Sequence, residues 1–526
     1  MIRRSLVFVC LVAAAGLSAA QSDEERGLKL HKAGAFDGLN LFTPLEAGTT
    51  YLIDNEGRLI HSWESDYRPG QQAYLLPNGN LLRTASFGLA GNGTFHGGGA
   101  GYRIEEFTWE GERIWEFVYA SDQYLMHHDV EPLPNGNVLI LAWEMKTKEE
   151  AIAAGRNPEA LRDGELWSEH VIEVKPVRPE GAEIVWEWHL WDHLVQDFDE
   201  TKDNYGDVAA HPELVDIDPP GFWMDRMSAE EMEELEALGY LSKEDKEKQS
   251  QPNRRGGNAD WLHINAIAYN AQHDLIALST LGNNELWVLD HSTTTEGAKG
   301  HSGGRYGKGG DLLYRWGNPM AYRLGTKEDQ RLFAQHDVHW IPEGRPGAGD
   351  ILAFNNGRGR PDGTYSSVIQ IEPPFAGDGG FFREEGEAWG PEEAVWEYTA
   401  PNKKDFNSFF ISGAQRQPNG NTLICVGASG TFFEVTAEKE EVWRYLNAAN
   451  PPPPENADED SESSTRRDFL RNTVYRVYRY PHDYPAFAGK DLTPGPVLLD
   501  YLEDHPAKTP KDLDDEVSNL PRKPNI

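Results

Sequence analysis

Cysteine is almost absent from this chain of 526 residues: there are two, Cys10 and Cys425. Cys10 lies in an apolar leader and lacks the small-residue context of a lipoprotein cleavage site. Cys425 is therefore alone in the expected mature chain, and no internal disulfide can form. Positive charge is also scarce, with 49 Lys and Arg against 86 Asp and Glu, for a formal net charge of -37. That balance excludes a general nucleic-acid or anionic-membrane surface, so an anionic ligand would need a local basic pocket. Long apolar runs are missing after Leu6–Leu17, which is itself too short for a comfortable membrane span. Arg3 and Arg4 precede that run and Ser18-Ala19-Ala20 closes it, the pattern of a signal peptide over residues 1–20. The expectation is a soluble, periplasmic or secreted protein without a membrane span.

Familiar catalytic signatures are missing too. The glycine-rich stretches GLAGNGTFHGGGAG at 88–101 and GGRYGKGG at 303–310 do not open helices. In the second, Gly309 follows Lys308 where a phosphate loop needs Ser or Thr. There is no H-E-x-x-H pair. No cofactor is expected, and no residue is assigned to a metal. Cys425 sits in an apolar strand and reads as buried rather than reactive.

What the chain does have is turn chemistry: 52 Gly, 33 Pro and 16 Trp, with 39% apolar residues to build a core. One recurring part is a strand, a turn and a strand carrying Trp, as in YLIDNEGRLIHSW at 51–63 and YRIEEFTWEGERIW at 102–115. It returns at 171–186, in LWVLD with the strand ending at Trp316, in SVIQIEPP with the strand ending at Trp396, and at 431–443. These tryptophans read as packing residues. The other part is a hairpin built on Asn-Gly, whose central residues need positive φ. It occurs at 74–84, 131–143 and 416–427, with looser copies at 266–279 and 338–354.

Joined, the two parts make four-stranded units over 72–119, 128–190, 263–319, 336–400 and 412–447. The leftover hairpin at 51–65 pairs naturally with the alternating stretch NTVYRVYRY at 472–480. The expectation is an all-β, six-bladed β-propeller over 50–484 with a split closing blade. Outside it stand a polar lead-in at 21–49, weakly helical near Glu24–Lys32, and an insertion at 193–259 with a helical stretch at 228–241. An acidic linker at 450–467 and a tail at 485–526 with little core potential complete the division.

In a propeller the start of each inner strand faces the central channel. His128, His263 and His336 each stand there, in His127-His128-Asp129, Asp260-Trp261-Leu262-His263-Ile264-Asn265 and Gln335-His336-Asp337. Arg358 and Arg360 follow the inner hairpin of the His336 unit, beside Asn356, and Gln415 and Arg416 start the next. A funnel of imidazoles and guanidiniums suits an anionic group and proton transfer. The same histidines could instead bond neighbouring blades, or bind a metal with Asp129 and Asp337.

The stretches HHDVEPLPNGNVLILAWE, DWLHINAIAYN, QHDVHWIPEG with FNNGRGR, and SGAQRQPNGNTLICVG resemble the arylsulfotransferase family, in order, over most of residues 50–490. The resemblance implies an exported six-bladed propeller that moves sulfuryl groups from a phenolic sulfate ester to a phenol without a nucleotide donor. It implies that His263 and His336 are channel histidines and that Arg358, or Arg360, is the arginine downstream. The family's attacking histidine belongs to the next blade, yet no histidine occurs between His339 and His482. Ser412, Gln415 and Arg416 stand there instead. His128, His336 or His482 could replace the attacker, or transfer could be direct. The site is expected to comprise His263, His336, Arg358 and His128, with Arg360, Arg416, Asn265, Asn356 and Gln415 binding substrate. The alternatives are sulfate-ester or metal-dependent hydrolysis, and a non-catalytic propeller holding an anionic glycan or a protein partner.

Overall fold

Val138-Leu139-Ile140-Leu141-Ala142 is apolar at every position, without the alternation of a half-exposed strand. The structure supplies the reason. Val138, Ile140 and Ala142 pack in one buried cluster with Leu82 and Ile104, whereas Leu139 and Leu141 pack in another with Ile264 and Ile276. Both faces of the sheet are covered, so each parity of the strand reaches a different core. Six such cores separate six sheets.

The computed structural model describes residues 26–86, 94–95, 97–161, 164–219, 259–449 and 472–511. From the channel outward, blade 1 is Arg68–Leu75, Leu81–Ser86, Arg103–Phe107 and Arg113–Val118. Blade 2 is Tyr124–Pro132, Val138–Thr147, Glu165–Pro176 and Ala182–His189. Blade 3 runs Ile264–Asn270, Leu275–Thr280, Glu285–Asp290 and Tyr314–Trp316, and blade 4 His336–Trp340, Ile351–Asn355, Ser367–Ile371 and Trp396–Tyr398. Blade 5 is Gly413–Arg416, Thr422–Val426, Thr431–Val435 and Glu441–Leu446. Blade 6 joins the C-terminal Val474–Tyr480, innermost, to Leu39–Pro44, Thr49–Ile53 and Leu59–Glu64. Neighbouring innermost strands touch all the way round, closing the six-bladed propeller.

The tryptophans do more than pack. Each blade's outer edge donates an indole N–H to a carbonyl in the next blade's outer turn. Trp63 reaches Thr108 (3.0 Å), Trp115 Gly181 (2.8 Å), Trp188 Gly310 (2.8 Å), Trp316 Pro391 (2.7 Å), Trp396 Ala437 (3.1 Å) and Trp443 Asn55 (2.8 Å). One indole per blade thus satisfies a turn carbonyl that the sheet ladder cannot reach.

Three expectations are corrected. Gly27–His31 is a strand, not a weak helix, and pairs along Glu441–Leu446 as a fifth strand of blade 5. Leu39–Pro44, taken for lead-in, is the fully buried second strand of the closing blade. The tail is not without core residues: Phe487 packs beside Trp63 and Trp109, and Leu498 begins a helix over Leu498–Asp504 that joins the core between blades 5 and 6. Within the insertion, Leu194–Val195 pairs with Val215–Asp216. The leader, the 228–241 stretch and the 450–467 linker lie outside the described residues. Cys425 is buried against the Val474 carbonyl, and burial pushes its thiol well up.

Candidate active site

The inner strands do not start as regular ladder. Blade 2 has a break in register between the partners of Ile140 and Ala142, and blades 3 and 4 have matching breaks at Ile264/Ala266 and His336/His339. His128 and His263 stand at these bulges with φ +50°, and Asp337 with φ +54°. Bulges re-aim side chains, and a positive φ on a residue with a Cβ is strain that the surrounding blades must hold.

The result is a tight cluster. The His128 and His263 rings meet edge to face at 4.4 Å between centroids. His336 acts electrostatically on His128, and both His263 and Arg358 act on His336. All three histidines are buried rather than displayed in an open funnel. Gly99, from the glycine-rich stretch that failed as a phosphate loop, lies against His128: its carbonyl accepts the His128 N–H at 2.7 Å. A Cβ on Gly99 would stand 2.1–2.3 Å from three atoms of the imidazole.

Each histidine is held differently. Nδ1 of His336 lies 2.8 Å from Oδ1 of Asn356, whose amide nitrogen donates to the carbonyls of Ser408 and Ile411. Nδ1 therefore carries the proton, and Nε2 presents a lone pair. His263 Nδ1 lies 2.5 Å from Oδ2 of Asp260. His128 ends a chain: Glu169 Oε2 is 2.8 Å from His127 Nε2, and His127 Nδ1 is 2.9 Å from His128 Nδ1. The far nitrogen of His128 is buried and has no hydrogen-bond partner among the described residues.

Burial holds His127, His128 and His336 neutral. It pushes His336 down to about 3, with Arg358 and His263 adding to the effect against the Asn356 bond. It also pushes His127 to about 3 and His128 well below the usual range, helped by the neighbouring imidazoles. Burial, then Asp260, pushes the Glu169 carboxyl well up. The unfolded chain takes up protons at His127 and His336 as pH falls through about 6.5, whereas the fold keeps both neutral. Their contribution to stability should therefore be level above about pH 7. Below it, stability should fall by about 1.4 kcal/mol per pH unit for each histidine, until the folded state also protonates near pH 3. Denaturant melts between about pH 7 and pH 5 measure this slope, and His336→Asn should remove one histidine's share.

Beneath the cluster, Arg476 of the closing strand spans the channel. Its Nη1 bonds Asp129 Oδ2 at 2.9 Å, and its Nε lies 3.0 Å from Asp337 Oδ1, an ion pair without good hydrogen-bond alignment. The same aspartates accept backbone N–H groups of the following blades, Asp129 from Ile267 at 3.2 Å and Asp337 from Ala414 at 2.8 Å. Below Arg476, a cavity of about 420 Å³ lined by Tyr74, Glu131, Tyr269, His339, Arg476 and Tyr478 opens on the hairpin side.

The structure thus brings together His128, His263 and His336, with Arg358 and Asn356 beside them. Asn265 is close by, its amide donating to the Gln335 carbonyl at 2.8 Å. It does not bring in the other three. Arg416 turns between blades 4 and 5, bonding Gln370 at 2.7 Å and lying over Trp396. Arg360 stacks on Tyr365 and bonds Ser367 at 2.6 Å. Gln415 accepts the Arg479 N–H and bonds Gln417. Alternation along Gly413–Arg416 sends Gln415 and Arg416 to opposite sides, and Arg360 stands in the turn after Ile351–Asn355. Ser412, in the blade without a histidine, is buried and bonded to Ser408. His482 is half exposed beside Asp37, outside the channel. Sequence reasoning missed His127, Glu169, Asp260 and Arg476; only the His127-His128 doublet could have signalled one of them. Among the described residues, the groups of side chains close enough to share a metal lie outside this cluster, so they give the channel-metal reading no support.

Comparisons with solved structures return distant likenesses. A protein of unknown function from Bacteroides caccae is 9% identical, at TM-score 0.41, over 84% of this chain and 98% of that one. A periplasmic gluconolactonase from Pseudomonas aeruginosa is 11% identical, at TM-score 0.37, over 78% and 96%. The Swd1 β-propeller domain of Myceliophthora thermophila is 8% identical, at TM-score 0.35, over 80% and 89%. No curated protein sequence matches. The family model for arylsulfotransferase (ASST) matches residues 27–371, more than half of the chain, including His128, His263 and His336. The chain belongs to the arylsulfotransferase family.

Proposed function

We propose that this protein moves a sulfuryl group from a phenolic sulfate ester to a phenolic acceptor, without a nucleotide, with His128 as the attacking group. The observation that carries the assignment is the Glu169–His127–His128 chain, which ends in a buried, unbonded nitrogen. His336 also presents a lone pair, but its other nitrogen faces an amide oxygen, which cannot take a proton away. The proton on His128 Nδ1 has a route through His127 to Glu169, which receives it as the carboxylate and whose burial then favours the neutral acid formed.

The steps balance. Arg358 holds the sulfuryl oxygens and offsets the charge that develops on them. His128 Nε2 bonds to sulfur as the aryl S–O bond breaks. The Nδ1 proton passes to His127, and the His127 Nε2 proton passes to Glu169. Protonated His263, its charge offset by Asp260, gives the departing phenolate its proton. The acceptor phenol then returns a proton to His263 while its oxygen takes the sulfuryl group, the S–N bond breaks and the relay reverses. Before transfer, the incoming phenol hydroxyl donates its hydrogen bond to His336 Nε2, which aims it, and then turns that proton to His263.

Incubation with an aryl sulfate and a second phenol tests the reading: phenol release matched by acceptor sulfation is expected. Release without acceptor sulfation would make the protein a hydrolase. Arg358→Ala should lower transfer by about 100-fold or more, the range for removing one charge-stabilising donor. Gly99→Ala should be as damaging, since its Cβ would displace the His128 ring and the backbone there has φ +82°. It should also lower stability by about 1–3 kcal/mol in denaturant melts. We also propose export, supported by the leader at residues 1–20; a mature N-terminus at Gln21 in the periplasmic or secreted fraction tests it.

A further inference from the structure

A second histidine cluster stands in blade 2, away from the channel. In the sheet register His170 lies between Ala142 and His189, and Glu144 follows Ala142 by two residues. Glu144, His170 and His189 therefore share one face of three adjacent strands. Their donor atoms lie within 4.8 Å of one another. His189 Nδ1 is 3.3 Å from Glu144 Oε2. Tetrahedral donors ~2.1 Å from a zinc-sized ion stand about 3.4 Å apart, so this pair needs almost no movement.

The far sides of both rings are already held. His189 Nε2 is 3.2 Å from Glu187 Oε2, and His170 Nε2 is 2.9 Å from the Tyr119 hydroxyl. Outer partners of this kind fix the ring orientation of metal-ligating histidines. His170 is 2% exposed, and its Nδ1 has no hydrogen-bond partner among the described residues. A buried ring nitrogen left alone costs free energy in either tautomer. A salt bridge from His189 to Glu144 and Glu187 explains those three side chains but not this nitrogen. Lys146 Nζ forms an ion pair 2.9 Å from Glu144 Oε1, on the side away from His189, while Oε2 faces the cluster. Glu144 and His189 are partly exposed, which gives a hydrated ion a way in.

We propose that Glu144, His170 and His189 bind a divalent transition-metal ion of the zinc class, tying together the second, third and fourth strands of blade 2. Two imidazoles and one carboxylate suit such an ion, and hard-cation sites are built from oxygen instead. The other cluster, His193, His301 and Asp311, is a weaker candidate. Both His193 nitrogens are already bonded, to Asp311 and to the Ala298 carbonyl, and His301 is largely exposed.

The test is calorimetric titration of the chelator-stripped full chain with Zn2+, with Co2+ absorption reporting the coordination geometry. One ion per chain is expected. His189→Gln and Glu144→Gln, both at partly exposed positions, should each weaken binding by more than about 100-fold, and Glu187→Gln by roughly 10–100-fold. His301→Gln should leave binding unchanged, and His189→Gln should leave sulfuryl transfer unchanged. Zn2+ should raise the Tm of the wild type but not of His189→Gln. Binding only at millimolar Zn2+, or binding undiminished by either His189→Gln or Glu144→Gln, would overturn the proposal.

Discussion

His128→Asn should abolish sulfuryl transfer, with kcat/KM falling by at least about 10⁴-fold, the scale for removing an attacking group. The fold should survive, because Asn is smaller than the ring it replaces and polar like it, and meets Gly99 and His263 without a clash. Near-UV circular dichroism checks that. Activity alone would not separate attack from positioning, so the covalent step must be read directly. Wild type given donor without acceptor should gain the mass of one sulfuryl group on the peptide containing His128. His128→Asn should gain none. His336→Asn should still gain it, since His336 aims the acceptor, and the adduct should then persist when the acceptor is added. Glu169→Gln should slow adduct formation most at high pH, where the wild-type carboxylate is ionised and can receive the relayed proton whereas the amide cannot. An adduct on another histidine, or transfer that proceeds with no adduct at all, would show that His128 is not the attacker.

The fold was legible wherever local chemistry repeats. Asn-Gly turns and outer-strand tryptophans mark units in the sequence because each solves a local problem, a tight reversal and an unpaired carbonyl. Leu39–Pro44 was not legible: it is short, lacks a turn signal of its own, and pairs with a strand from the opposite end of the chain. Gly27–His31 is likewise defined by its partner, Glu441–Leu446, and not by its residues. The site divides along the same line. His128, His263 and His336 stand in motifs whose aspartates and bulges recur, so their convergence could be read. The parity of Gln415 and Arg416 could not, since only the blade's final tilt says which face meets the channel, and Arg360 stands in a turn that stacks it on Tyr365. Glu169 lies on the third strand of blade 2, and nothing in the sequence connects it to His127.

Arg476 should be the costliest side chain to remove for stability. It is buried between Asp129 and Asp337, and both carboxylates also serve backbone N–H groups of the following blades. Burial alone would push Asp337 up; Arg476, with His339 and the Ala414 N–H, holds it below the usual range. Arg476→Met leaves two buried carboxylates without a counter-charge and should cost about 3–5 kcal/mol. The pH dependence follows from the sign of the change. Without Arg476, burial raises both carboxyls above their unfolded values, so the deficit is full only above those raised values, where the folded carboxylates are ionised. It should shrink as pH falls toward about 4 and the folded carboxyls accept protons at neutral cost. In the wild type, Asp337 behaves in the opposite way, stabilising above its unfolded value and losing that contribution as pH falls. Arg476→Met combined with Asp129→Asn and Asp337→Asn should recover most of the loss, because the whole buried network is then neutral. Urea melts of the three proteins near pH 7 and near pH 5 measure both effects. A deficit that is independent of pH and not relieved by the paired substitutions would mean that Arg476 acts by filling space, not by holding together the two aspartates on which the His128 and His336 strands are anchored.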